Sequence, residues 1–354
     1  AKLTREKFDE IKDAPGFIES YAVDGAAPTA GTALRNPRLA ATLERLATAG
    51  LDDFYRGDLA RAFAEGLERV GSPLRLSDFE TFRAQRVAPL SVALSGGRVF
   101  NTPPPTQGVA SLMILGAFDR LGVTEADGFK HLHGVVEATK AAFRRRNAHV
   151  GDPKWMTVDP ADWLTPDGID ALVREIDPAK AAPWPEPPVD GGTVWMGAAD
   201  DKGVVVSFIQ SGFWEFGSGV APGETGVLWQ NRGASFTLGA GPNQLRAGAR
   251  PFHTLNPALA QLKDGSVFAY GNMGGEGQPQ SQAAVFTRHA LFGQPLQQAV
   301  SAPRWLLGRT WGAAADNLKL EDRTPPAVVD ALRAAGHDVE VVESYSDLLG
   351  RAGA

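Results

Sequence analysis

The chain has 354 residues, 43% of them hydrophobic and 21% charged, a net charge of −6 and no cysteine. That composition is ordinary for a globular protein, and the length passes the ~250–300 residues at which single cores stop growing unless one large layered domain forms. The acidic balance gives no electrostatic case for nucleic acid, no window approaches the ~18 apolar residues of a membrane span, and the lack of cysteine excludes thiol catalysis, disulfides and zinc–thiolate sites.

The first half reads as mostly helical. Pro37 to Gly50 carries apolar residues at helical spacing and closes on a glycine stop; Asp58 to Val70 repeats the style. Ser77 to Arg86 is a third helix, with Ser77 and Glu80 spaced as a capping box. Leu90 to Phe100 alternates around Gly96-Gly97 as a hairpin does. Asn101 to Gly108 (NTPPPTQG) is a rigid loop, because three prolines can join neither helix nor ladder. It leads into apolar helices over Val109–Leu121 and Ala126–Asn147, and Thr165-Pro166 caps a helix running to Ile176. Arg144-Arg145-Arg146 lies on the second of these and reads as a solvated face.

Pro178 to Gly192 (PAKAAPWPEPPVDGG) is proline-rich and stops abruptly at Thr193. Strand-like runs Val194–Ala199 and Val204–Ser211 follow, joined by Asp200-Asp201-Lys202-Gly203. Glycines then cluster, a short strand spans Val267–Tyr270, and helices run from Gln282 to Phe292 and from Pro325 to Ala335 before a strand at Val339–Val342. Paired strands flanked by helices indicate a layered α+β fold.

The junction before Thr193 carries specific chemistry. Cutting the Gly192–Thr193 bond leaves Thr193 with a free α-amine beside its own hydroxyl. With a reference pKa of ~7.7–8.0, that amine takes the hydroxyl proton near neutral pH, so one residue is both nucleophile and base. Ser211, at the end of the following strand, is placed to hold the Thr193 hydroxyl across the hairpin. Gly274-Gly275, after a strand, can aim two backbone N–H groups at one spot, as an oxyanion hole requires. The same residues also suit a β-branched strand position, a strand-end serine and a tight turn, and on spacing alone the plainer roles are favoured for Thr193 and for the two glycines. His131 and His133, two apart on a helix, do not face the same way, so no metal site is expected there. Phe216–Gly223 (FGSGVAPG) lacks the Lys-Ser/Thr ending of a phosphate loop and reads as a glycine-rich loop shaping a pocket. No Gly-x-Ser-x-Gly elbow is present, and six histidines without an evident Ser or Asp partner argue against a serine triad.

Taken together, a strand-initial Thr, FGSGV, TGVLWQNRG, RPFHTLNP and GNMGGEGQPQ occur in an order that resembles the γ-glutamyltransferase family of N-terminal nucleophile hydrolases. The resemblance extends to NTPPPTQG, the helix end at Arg144–Asn147 and HVGDP at His149–Pro153. It implies a four-layer αββα sandwich and a precursor that cuts itself at Gly192–Thr193. Residues 1–192 then form the mostly helical large subunit and 193–354 the small one, and the two stay associated, a dimer of such heterodimers being one arrangement. It further implies Thr193 as nucleophile, Ser211 as its hydroxyl partner and Gly274 and Gly275 as oxyanion donors. It leads one to expect a further region before Ala1, which does not open a signal peptide, and a final strand after Gly353.

The chain departs from the family pattern where substrate binds. The acidic residue that pairs with a γ-glutamyl α-ammonium is Ser235, an expected Asn is Phe213, a Gln or Glu is Arg232, and paired serines are His253-Thr254. An ammonium-binding acid has gone and a guanidinium has arrived, which favours an acyl group bearing a carboxylate and no α-ammonium. WMG at Trp195–Gly197, LWQNRGASF, PFHTLNP and PRWLLGRTWG at Pro303–Gly312 look most like the family's oxamate-hydrolysing branch, from purine and allantoin breakdown, in which oxamate gives oxalate and ammonia. Glutaryl or cephalosporin acylase chemistry, γ-glutamyl hydrolysis or transfer, and a processing-dead binding protein are the alternatives. No cofactor, metal, nucleic acid or membrane is expected, and a cytoplasmic setting is expected with the periplasm left open.

Overall fold

The computed structural model describes residues 1–184, 192–308 and 316–354. The chain makes two compact units, Ala1–Arg86 with Gly212–Asn231, and Val87–Ser211 with Arg232–Ala354. The smaller unit holds helices α1 (Lys2–Ile11), α2 (Phe17–Tyr21), α3 (Pro37–Ala49), α4 (Asp53–Arg56), α5 (Asp58–Arg69) and α6 (Leu76–Thr81). Asn36 caps α3 by accepting from the Leu39 N–H at 2.9 Å, and Pro37 occupies its first position. Leu59, Phe63 and Leu67 of α5 and Phe79 of α6 form its core, with Trp229 packed against them. The glycine-rich loop serves this packing: a Cβ on Gly223 would lie 2.3 Å from the Ala62 carbonyl oxygen of α5. The third helix is shorter than expected and its cap is shifted. Asp78, not Glu80, reaches back, accepting from the Arg75 N–H at 2.7 Å, because the helix starts one residue before Ser77.

The larger unit contains, in chain order, β1 (Leu90–Leu94), β2 (Gly97–Asn101), α7 (Gly108–Arg120), α8 (Phe129–His149), α9 (Pro166–Val173), β3 (Gly192–Ala199), β4 (Val205–Phe213, its last two residues in the smaller unit), β5 (Ala258–Leu262) and β6 (Val267–Met273). There follow α10 (Gly277–Phe286), α11 (Leu296–Ser301), β7 (Trp305–Leu307), β8 (Leu318–Glu321), α12 (Pro326–Ala334), β9 (Val339–Val342) and β10 (Arg351–Gly353). Strands β1-β2-β5-β6-β10 make one antiparallel sheet. Helix α7, buried over almost its whole length, packs on β1 and β2, and α10 packs on β6. Phe268 and Tyr270 face this helical layer and contact Phe286. Gly271, one residue on, faces the opposite side, where the β3–β4 hairpin lies: its Cβ would come 2.2 Å from the Trp195 ring. Helices, sheet and hairpin are thus stacked in that order, the α+β class expected. A third sheet pairs β7 with β8 antiparallel and β8 with β9 parallel.

Strands β5, β7, β8 and β10 had no counterpart in the sequence reading. Buried Lys319 and Glu321 give β8 a charged look, but Lys319 donates to Gly308 O at 3.0 Å and Glu321 pairs with Arg304 at 2.6 Å and with Arg323. Helix α8 starts three residues later than expected and α9 ends three earlier, while α10 starts at Gly277 rather than Gln282. The proline-rich run and PRWLLGRTWG lie partly outside the described residues.

Candidate active site

Gly192 and Thr193 open β3. The hairpin turn is closed by the Asp200 carboxylate, which accepts from the Lys202 and Val204 N–H groups at 2.9 Å each. Across the hairpin the Thr193 hydroxyl donates to Ser211 Oγ at 3.2 Å. Trp195, two residues on, shares the Thr193 face of the strand and lies over Gly271 and Gly353. Its indole N–H donates to Ser207 Oγ at 2.9 Å, so the ring is fixed at both ends and holds the hairpin register.

Gly274 and Gly275, with φ of +131° and +52°, turn the end of β6 into α10. Both angles are ones L side chains rarely adopt. The turn is closed by Gly277 N–H to Gly274 O at 2.8 Å and Gln278 N–H to Gly275 O at 3.2 Å. The glycines therefore sit at the N-terminal end of a buried helix, where backbone N–H groups and the helix dipole favour developing negative charge.

Three residues that sequence reasoning missed hold this turn. Gln107 donates to Gly275 O at 2.9 Å and Thr254 O at 2.7 Å, and its own carbonyl accepts from Arg146 Nη1 at 2.8 Å. Arg146 also pairs with Glu276 at 2.9 Å and stacks on Phe143 at 3.7 Å. Arg146 is 1% exposed, so the Arg144–Arg146 run is not a solvated face; about half a turn of helix carries its third member into the core while Arg144 stays half-buried. The available signal was the polar Gln at the end of a rigid proline loop, directly before a largely apolar helix.

Arg232 and His253 come together. Burial lowers the Arg232 pKa to about 10, and burial together with the Arg232 and Arg250 charges lowers His253 to about 4, so the imidazole is neutral near pH 7. Ser235 closes the turn Arg232–Ser235: its one hydroxyl proton is shared between Arg232 O at 2.9 Å and Phe252 O at 2.8 Å. That hydroxyl is thus used to place Arg232 beside the Phe252–His253 segment, which itself bonds to the proline loop through His253 N–H to Pro105 O at 3.0 Å. Thr254 is fully buried. Phe213, in the smaller unit, is buried and carries a φ of +81°, an outlying conformation for a bulky side chain.

The two helix histidines diverge as expected: His131 Nε2 meets Thr287 Oγ1 and His133 Nδ1 meets His337 Nε2, both at 2.8 Å. Among the described residues, His133, Glu137 and His337 are the group whose donor atoms converge closely enough to suggest a metal ion. The fit is poor. The two ring nitrogens are closer than ligands of one tetrahedral ion at ~2.05 Å from each would be, about 3.3 Å, and Glu137 already carries the Lys140 ammonium at 2.7 Å. No helix among the described residues is long and apolar enough to cross a membrane.

The chain belongs to the gamma-glutamyltranspeptidase family, whose model matches residues 1–353. It is 51% identical to the oxamate amidohydrolase proenzyme of Klebsiella pneumoniae subsp. pneumoniae, a match covering 100% of this chain and 67% of the relative. It is 36% identical to the glutathione hydrolase-like YwrD proenzyme of Bacillus subtilis, covering 99% of this chain and 67% of that one. The structure of cephalosporin acylase from Bacillus halodurans superposes with a TM-score of 0.89 at 31% identity, covering 99% of this chain and 65% of that one. The chain thus spans about two thirds of the length of these relatives. The fold is the N-terminal nucleophile hydrolase type, and the family is one of amide-bond hydrolases.

Proposed function

We propose that this chain is a self-processing amidohydrolase whose nucleophile is Thr193 and whose substrate is a small amide bearing a carboxylate, oxamate first. The observation that carries the reading is the Thr193 hydroxyl at the head of β3, 3.2 Å from Ser211 in a fixed hairpin. In processing, the Thr193 hydroxyl adds to the Gly192 carbonyl and the Thr193 nitrogen departs, leaving an ester. Water cleaves that ester, releasing a polypeptide ending at Gly192 and one beginning with the free amine of Thr193. In turnover, that amine takes the hydroxyl proton, Oγ1 attacks the amide carbonyl, and Gly274 and Gly275 N–H groups receive the oxyanion. Collapse expels ammonia, and water activated by the same amine releases the acid. No cofactor enters any step.

Arg232 is the carboxylate partner in this reading, with neutral His253 and Thr254 beside it, while Ser235 positions Arg232. The similarity to an oxamate amidohydrolase proenzyme supports this choice, and the loss of an acidic residue at Ser235 weighs against γ-glutamyl substrates. The two polypeptides remain together, in pairs of heterodimers, in the cytoplasm. Intact mass under denaturing conditions with N-terminal sequencing tests processing: two pieces, one beginning TVWMG, are expected, and Thr193→Ala should stay uncut and inactive. Cleavage persisting in that variant overturns the nucleophile. Ammonia release from oxamate, compared with glutaryl and γ-glutamyl anilides, tests the substrate; preference for either anilide overturns it. An uncut wild-type chain favours a binding protein.

A further inference from the structure

Helix α8 presents a stripe of polar side chains, His133, Glu137, Lys140 and Arg144, at spacings of four, three and four residues, which keeps them on one face. The first three are 1–2% exposed. Buried polar groups in such a row need partners, and here most partners are main-chain atoms of one segment, residues 177–183. His133 Nε2 donates to Asp177 O at 2.8 Å. Glu137 accepts from the Ala182 N–H at 3.0 Å, Lys140 donates to Ala182 O at 2.6 Å, and Arg144 donates to Pro183 O at 2.7 Å. Beyond them Trp184 sets its ring against Phe143 of the same helix, at 6.1 Å between centroids.

The segment also touches the other side of the Gly192–Thr193 bond. Ala181 N–H donates to Ala335 O, at the end of α12, at 2.8 Å. His337, two residues further on, bonds to His133 at 2.8 Å. Because His133 Nε2 must be the donor to a carbonyl, its Nδ1 is the acceptor and His337 Nε2 carries the shared proton. The tautomers of both rings therefore follow from one main-chain carbonyl.

We infer that α8 and the end of α12 form a main-chain-binding cleft for residues 177–184, which stations the segment preceding the Gly192–Thr193 bond and, once that bond is cut, straps the first polypeptide to the second. The inference rests on the processing proposed above for its second half only. Its physical basis is twofold. Holding residues 177–184 on one side, with Gly192 and Thr193 fixed in β3 on the other, limits the conformations open to the intact precursor around the bond to be cut. After cleavage, a free end without such anchors would fray; these bonds keep residues 177–184 between the two polypeptides.

The test uses the full chain and two variants. Arg144→Ala removes the half-buried rim contact to Pro183, and Glu137→Gln/Lys140→Met removes the buried pair together, so neither leaves a lone buried charge. Three quantities are measured: peptide-level hydrogen exchange over 177–184, the self-cleavage time course by intact mass, and the urea concentration at which the cleaved polypeptides separate. Loss of one such bond corresponds to about 2–10-fold in a local opening constant, so exchange of the Ala181 and Ala182 amides should accelerate about that much in Arg144→Ala, and more in the double variant. Separation should shift to lower urea and cleavage should slow, with the Arg144→Ala thermal midpoint unchanged and Arg144→Lys restoring wild-type values. Unchanged exchange and unchanged separation in a cleaved protein overturn the strap and leave the processing mechanism standing. An uncut wild type whose 177–184 exchange still accelerates in the variants retains the cleft and removes the processing. One zinc per chain, retained through dialysis and lost in His337→Asn, overturns the cleft in favour of a metal centre.

Discussion

Gln107→Leu isolates the network beneath the Gly274-Gly275 turn. The change nearly conserves volume and removes three hydrogen bonds, to Thr254 O at 2.7 Å, Gly275 O at 2.9 Å and from Arg146 at 2.8 Å. Their costs differ. Gly275 O keeps the Gln278 N–H, so that loss is worth about 0.5–1.5 kcal/mol. Thr254 O is left buried without a donor, about 1–3 kcal/mol, and Arg146 loses one of its acceptors, a charged-group bond worth about 1.5–3 kcal/mol. The sum is about 3–7.5 kcal/mol, trimmed if water enters, against the ~5–15 kcal/mol that stabilises a typical domain. Urea melts should show a loss of unfolding free energy of that size. With Gly274 and Gly275 as the oxyanion donors proposed above, turnover in the remaining folded fraction should fall as well, because their turn loses its support. Gln107→Glu keeps an acceptor for Arg146 but donates to neither carbonyl, so it should recover only part of the loss. A stability change under ~1 kcal/mol with full turnover would refute the claim that Gln107 holds the turn.

Gly271→Ala places a methyl within 2.2 Å of the Trp195 ring and should cost about 1–3 kcal/mol by overpacking, with a shifted tryptophan emission; an unaltered melt would mean the hairpin does not lie on β6. Ser211→Ala removes the 3.2 Å partner of Thr193 and should slow self-cleavage about 2–10-fold, read by intact mass, with cleavage at the wild-type rate counting against the pair. His253 has a folded pKa of about 4 against 6.5, so its contribution to stability is complete above pH 6.5 and is lost as pH falls from 6.5 toward 4. In Arg232→Met the His253 titration, followed by NMR, should move upward because one of the charges that depress it is gone; an unmoved midpoint would separate the two residues. His337 behaves in the same sense toward a folded pKa of about 3, set by burial and then by Lys140 and His133, so acid should loosen the segment held by α8.

What the sequence determined by itself is local and covalent. Asn36-Pro37 and Thr165-Pro166 set helix starts because capping and proline geometry act within a few residues. The Asp200–Gly203 turn fixed the hairpin, and with it the meeting of Thr193 and Ser211, because an antiparallel register follows from its turn. The family and the points of departure at Arg232, Ser235 and His253-Thr254 were legible as ordered motifs. Tertiary structure decided where burial overrides residue type. Arg146, Lys319 and Glu321 look exposed by composition and are buried because partners distant in sequence, Glu276, Gly308 and Arg304, neutralise or bond them. Strand β8 was hidden for that reason, and β5 because its alternating burial is carried by Ala and Leu on both faces, so ALAQL shows little alternation of residue type. Gln107 and the His133–Glu137–Lys140 stripe acquire roles only when chain segments far apart in sequence are brought within hydrogen-bond range. Local propensity reports the geometry of a few residues, whereas a buried polar group is defined by what the rest of the fold places opposite it.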